Sequence, residues 1–131
     1  MRTLLPQGWK RPKGYANGIV AQGAVIYTAG IVGWDSDEVF HSDAFIDQVR
    51  QVFLNTLAVL AEANAEPEHI VQMTWYVTDM DEYRANLQAL GKVWRDLMGA
   101  QYPTIACVEV KSLVEERAKV EISTVAVVPS R

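Results

Sequence analysis

The sequence predicts an α+β domain in which two helices cover one face of a mixed β-sheet. Three observations carry this. Alternating, β-favouring stretches recur near 19–29, 69–79, 104–111 and 118–128; two intervening stretches place apolar residues three and four apart; and together they follow the order β-β-α-β-α-β-β. With 131 residues, half of them apolar, the chain suits one domain spanning 1–131 and is long enough to bury a core.

Residues 1–16 carry Pro6, Pro12 and Gly14 and little alternation, so they read as an irregular lead-in or a short edge strand. Ile19-Val20-Ala21 and Ala24 to Ala29 flank Gln22-Gly23. Glycine takes positive φ readily, and the pair is expected to close a β-hairpin that opens the fold. The second strand runs into Gly30-Ile31-Val32-Gly33-Trp34 and the turn-rich Asp35-Ser36-Asp37. Two glycines so close together either admit a ligand or another chain against the backbone, or mark a strand end or bulge.

Ser42 or Asp43 is placed to cap a helix starting near residue 43, with Ile46, Val49, Phe53, Leu57 and Leu60 on its apolar stripe and Gln48, Arg50 and Gln51 off it. The run from Glu62 to Glu68, with Asn64 and Pro67, ends that helix. From His69 to Asp79 the alternation is clearest: Val71, Met73, Trp75 and Val77 make one face, Gln72, Thr74, Tyr76 and Thr78 the other. Asp79 or Asp81 caps a second helix carrying Tyr83, Leu87, Leu90, Val93 or Trp94, and Leu97, stopped at Met98-Gly99. Pro103 belongs at the start of the next strand, where Ala106, Val108 and Val110 form an apolar face and Ile105, Cys107, Glu109 and Lys111 a mixed one. Leu113 to Arg117 is a charged connection into the last strand, Ala118 to Val128. A thiol and Glu109 on one face, with Glu121 on the strand that follows, read as a polar cluster lining a cleft. Two helices on one sheet face leave the other bare, and homo-oligomerisation is the economical way to cover it.

The net charge of −4, spread along the chain, argues against nonspecific binding to nucleic acid or to an anionic membrane, both of which need basic patches. No apolar run approaches the roughly 20 residues needed to cross a bilayer, and the first residues are too short a stretch for a signal segment, so a cytoplasmic protein is expected. Cys107 is the only cysteine, which excludes an internal disulfide; His41 and His69 sit in no metal-binding frame.

The ordered set Gly14-Tyr15-Ala16, Tyr27-Thr28-Ala29-Gly30, Gln48-Val49-Arg50, Tyr76-Val77-Thr78-Asp79-Met80 with Tyr83, Tyr102-Pro103 through Cys107-Val108-Glu109-Val110, and Val120-Glu121-Ile122 resembles the RidA/YjgF family, also labelled endoribonuclease L-PSP. Its members are enamine/imine deaminases and relatives. The resemblance, which covers nearly the whole chain, implies a chorismate-mutase-like subunit, a homotrimer with clefts between subunits, a small-molecule substrate and no cofactor. It also implies that the backbone carbonyl of Cys107 and the carboxylate of Glu121 hold the attacking water. Where the family has an arginine that binds the substrate carboxylate, two residues after Pro103, this chain has Ile105. Ala29 and Ile31 stand where the family has serine and glutamine beside Gly30, and Leu87, with Asn86 one position off, stands near the family's helix asparagine.

Removing a guanidinium removes a bidentate, charge-assisted clamp, so small 2-imino acids are expected to bind poorly. Lys111 lies six residues from Ile105, roughly 20 Å along a strand, and cannot replace it from there; Arg84 or Arg117 of a neighbouring subunit remains open. The first reading is therefore a hydrolase acting on imines or enamines with altered specificity. In it Glu121 is general base and then acid, a role that calls for burial. A catalytically silent trimeric small-molecule-binding or chaperone-like protein is the alternative, motivated by Ile105. Ribonuclease activity ranks last, since the chain is acidic and has no basic stripe. The Cys107 thiol has no histidine in a matching element to activate it and reads as a small hydrophobe. Tyr15 and Tyr102 line the cleft or pack an interface, and Glu109 either pairs with Glu121 or is a solvated surface residue.

Overall fold

A computed structural model describes residues 1–130; the last residue of the expected domain, Arg131, lies outside the described residues. Strands β1 (Arg2–Leu4) and β2 (Gly18–Val20) form an antiparallel two-stranded ribbon. The main sheet contains β3 (Ala24–Tyr27), β4 (Ile31–Val32), β5 (Ile70–Val77), β6 (Thr104–Glu109) and β7 (Val120–Val128). Its order is β3-β7-β5-β6, with β4 also on β7. All pairs are antiparallel except β5 with β6, which are joined by a helical crossover. This is the predicted α+β architecture, with two differences in the strands.

The hairpin expected around Gln22-Gly23 does not form. Gly18–Val20 pairs with Arg2–Leu4, and Ala24–Tyr27 pairs with the end of β7. The lead-in thus supplies a strand that competes for β2, and Gly23 serves a different purpose: a side chain there would run into the carbonyl of Val128, so glycine lets the chain cross tightly from ribbon to sheet. The extended run through residue 34 is also broken. Tyr27 opposes Val125 and Ile31 opposes Ile122, so three residues on one side face two on the other: a bulge at Thr28-Ala29-Gly30.

Helix α1 (Phe45–Ala61) starts two residues later than predicted, with Ala44 at the cap position and no side-chain cap bond. Ser42 instead accepts from the Ala44 amide and donates to Asp47. The buried stripe is Phe45, Gln48, Val49, Val52, Phe53, Thr56 and Leu60, so Gln48 belongs to it rather than lying off it. The second predicted helix is two: α2 (Met80–Ala85) and α3 (Leu87–Met98), broken at Asn86. Asp79 caps α2 by accepting from the amides of Asp81 and Glu82, and Gly99, at φ +90°, ends α3.

The core lies between α1, α3 and one sheet face. Phe53 meets Trp75 and Trp94 edge to face, with ring centroids 5.7 and 5.5 Å apart, while Met73, Val77, Val120 and Ile122 close the layer with no exposed surface. The opposite face carries Gln72, Thr74 and Tyr76 of β5, Ala106 and Val108 of β6, Glu121, Ser123 and Val125 of β7, and Val25 and Tyr27 of β3. No helix covers it. Tyr27 is 75% exposed and Val108 44%.

Candidate functional site

Strand parity decides where each candidate side chain points. Cys107 pairs with Trp75 and Ile105 with Met73, and both pack against the core beneath the helices. Ala106 and Val108 take the uncovered face. This reverses the expected assignment of β6, whose "mixed" residues are its inward ones; the apolar alternate face is instead exposed. Glu121, opposite Tyr76, lies on the uncovered face. The polar cluster of Cys107, Glu109 and Glu121 therefore does not form, because the first two and the third lie on opposite sides of the sheet. Glu109 also makes no pair with Glu121. Its Oε1 accepts from the Met80 amide at 2.8 Å, a carboxylate capping the start of α2.

Burial pushes the Cys107 thiol up to about 11, so at neutral pH it is protonated and not a nucleophile. Its backbone is differently placed. Val110 donates to the Val77 carbonyl, so the even-numbered residues of β6 turn their backbone groups toward β5 and the odd-numbered ones turn outward. Since β6 is the last strand of the sheet, the carbonyl of Cys107 faces the open edge. Further back on the same edge, the Pro103 carbonyl accepts from the Ala16 amide at 2.9 Å, which anchors the segment bearing Tyr15. Tyr15 is 44% exposed, whereas Tyr102 stacks on Trp94 with centroids 5.4 Å apart and belongs partly to the core.

The Glu121 carboxylate makes no hydrogen bond or ion pair among the described residues. Its carboxylate rests on the bulge: a Cβ at Gly30 would lie 2.5 Å from Oε2 and 2.6 Å from the carboxyl carbon. The close approach allowed by Gly30 is thus made by the chain's own glutamate. Gly33 is likewise explained from within, since a side chain there would meet the backbone of Gln48 at 2.7 Å. Thr28 fastens the bulge, donating from its hydroxyl to the Ala29 carbonyl and accepting from the Thr124 amide. Gly30→Ala is expected to cost less than about 1 kcal/mol, because only the mobile end of a side chain must yield. The displaced carboxylate should lower any activity that depends on Glu121 by about 10²-fold. Thermal melting together with turnover checks both halves.

Within one subunit the Cys107 carbonyl and Glu121 do not meet. They sit on β6 and β7 with β5 between, about 10 Å apart at ordinary strand spacing, and the carbonyl points farther away. One water cannot bridge them unless a second copy brings its edge to this face. Of the cations considered as replacements at position 105, Arg117 is engaged in its own subunit: it bonds Asp43 and the Phe40 carbonyl, each at 3.0 Å, and lies over the Phe40 ring. Arg84 pairs loosely with Asp81 at 3.8 Å, and Lys111 lies beyond the end of β6.

Sequence reasoning put Gln48 off the buried stripe and missed Asn55 altogether. Gln48 donates to the carbonyls of Ser42 and Arg117 and accepts from the Lys119 amide; Asn55 donates to the carbonyls of Val32 and Trp34. The available signal was spacing, since Gln48 stands three residues after Phe45 and four before Val52. Among the described residues no group of three His, Cys, Asp or Glu side chains could hold a metal ion, and no helix is long and apolar enough to cross a membrane.

A family model described as endoribonuclease L-PSP matches residues 9–128. The RutC family protein slr0709 of Synechocystis is 31% identical over 121 residues, which is 91% of this chain and 90% of that protein. Escherichia coli TdcF, named as a candidate reactive intermediate deaminase, is 33% identical over 81 residues, 62% of this chain and 61% of TdcF. Among solved structures, YyfB of the Rid family from Yersinia pestis superposes with a TM-score of 0.86 at 23% identity, covering 97% of this chain and 98% of that one. TdcF with bound serine gives a TM-score of 0.70 at 28% identity, again covering 97% and 98%. The fold of these relatives is the chorismate-mutase-like one expected above.

Proposed function

Because the chain belongs to the endoribonuclease L-PSP (RidA/YjgF) family, we propose that it hydrolyses imines or enamines to a carbonyl compound and ammonia, at clefts between the subunits of a cytoplasmic homotrimer. The observation that carries this reading is the Glu121 carboxylate, which is held against Gly30 on the uncovered sheet face and has no partner among the described residues of its own chain. A polar group so positioned, beside Tyr76, is ready to engage something from outside the subunit. The open-edge carbonyl of Cys107 from a second copy supplies the other half: two acceptors that hold one water and aim it at a C=N carbon. Glu121 takes a proton from that water as it adds, and returns one to the departing nitrogen. The uncovered face, with Tyr27, Val25 and Val108, supports association by burying apolar surface in the assembled form.

Ile105 sets the specificity in this reading. Its side chain packs at the rim of the core, so no cation at that position meets a carboxylate on the imine carbon. Wild-type protein is expected to leave the decay of 2-iminobutanoate unaccelerated. Ile105→Arg, whose guanidinium reaches past the strand edge while its stem keeps the apolar contact, should accelerate that decay at least tenfold. The decay is followed by competition with a trapping amine. A variant that folds and assembles but stays inert would instead favour a ligand-binding protein with a silent cleft, the reading that Ile105 alone suggests.

A further inference from the structure

A cavity of about 700 Å³ lies beneath the N-terminal segment, and the reading above does not use it. Its volume is that of an ordinary small-molecule site. Arg11, Tyr15, Glu68, His69 and Tyr102 face it together with apolar residues such as Leu5. Arg11 makes no ion pair among the described residues, not even with Glu68, which also lines the cavity. His69 accepts from the Glu66 amide at Nδ1, 2.9 Å away, which leaves its ring proton on Nε2 as an unused donor. One cationic side chain and one ring N–H donor beside a single carboxylate suit a ligand with an apolar body and one negative charge; a second negative charge would meet Glu68.

The groove and the open-edge carbonyl lie along the same strand edge. Ala16 joins the edge at Pro103, and Cys107 follows four residues on, about 13 Å at strand rise. Between them stands Ile105, apolar where an anion clamp is missing.

We infer that Arg11 takes over the anion clamp, so that substrates of this chain carry their negative charge at the far end of an apolar body rather than on the imine carbon. This rests on the deaminase reading. It explains why losing a cation at 105 is compatible with an otherwise intact site: the apolar body passes over the edge at Ile105, and the charged end enters the groove. The reaction is R–CH=NH plus water giving R–CHO plus ammonia, with the carboxylate of R unchanged.

The test uses the assembled full-length protein and pairs of aldimines of equal length, generated in situ by an amine oxidase. One member of each pair ends in a methyl group and the other in a carboxylate, from 6-iminohexanoate to 8-iminooctanoate. For at least one length, kcat/KM for the carboxylate should exceed that for its neutral partner tenfold or more. Arg11→Gln should bring this ratio close to one, while Lys13→Gln, a nearby cation outside the groove, keeps it. Hydrolysis of both members at equal rates, indifferent to Arg11→Gln, overturns the inference and leaves the deaminase reading standing. If neither member is hydrolysed, the deaminase reading fails for this class, and the groove is judged by binding. Saturable binding of octanoate, measured by isothermal titration calorimetry and weakened tenfold by Arg11→Gln, would keep Arg11 as an anion anchor. Absence of such binding would remove it.

Discussion

Glu121→Gln is expected to lower imine hydrolysis by about 10² to 10⁴-fold, the range for removing a general acid-base group, while leaving stability within about 0.5 kcal/mol. The two halves have separate causes. An amide has the size of a carboxylate and sits over Gly30 without a new clash, and Glu121 makes no internal bond whose loss could weaken the fold. An amide nevertheless cannot take the proton from water. Glu109→Gln provides the contrast on the same instruments: it weakens a charge-assisted cap on α2, costing about 0.5–1 kcal/mol, and should leave turnover near wild type because it lies on the helix side of the sheet. Equal loss of turnover in both variants would show that Glu121 acts through structure alone, and the assignment of a proton-transfer role would fall.

The same pair shows what could be read from the chain and what could not. Alternation along 69–79 identified β5 and its two faces, because Gln72 to Val77 are paired on both sides and leave little ambiguity. On β6, alternation was equally clear but its direction was not. Ile105 and Cys107 on one side and Ala106 and Val108 on the other are about equally apolar, so the inward face was chosen by pairing to Trp75 and Met73, which is tertiary information. The short edge strand allowed for within residues 1–16 is present, but its pairing with Gly18–Val20 was missed for a related reason. Arg2–Leu4 is three residues long and carries no pattern, yet it captures β2 and cancels the hairpin that local turn chemistry favoured. The candidate site was legible as residues but not as an arrangement: Glu121 and Gly30 meet within the subunit, whereas Cys107 offers its backbone on an edge that only another copy can bring near. Arg11 was invisible in sequence because its relation to Pro103 comes from the fold of the N-terminal segment.

Gln48→Leu is expected to destabilise the protein by about 2–4 kcal/mol, or roughly 10–15 °C in melting temperature for a chain of this size. A leucine is close in volume and suits the apolar stripe, so packing alone predicts little change. The loss comes from hydrogen bonds. The Gln48 side chain, 1% exposed, donates at 3.0 Å to the carbonyls of Ser42 and Arg117 and accepts at 2.8 Å from the Lys119 amide. Leucine leaves all three backbone groups facing an apolar wall, and partial access of water to them keeps the cost below the sum of three fully buried losses. Gln48→Glu should be no better, since it retains the acceptor for Lys119 but sets a carboxylate oxygen against two carbonyls. The consequence extends to the site. Lys119 is two residues before Glu121, and its carbonyl in turn accepts from the Thr78 amide at 3.2 Å, so the clasp holds the start of β7 in register with β5. Turnover in Gln48→Leu should therefore fall even at temperatures where the variant remains folded. A leucine variant as stable as wild type in denaturant unfolding would show that these bonds contribute little net stability and that α1 holds β7 by apolar contact alone.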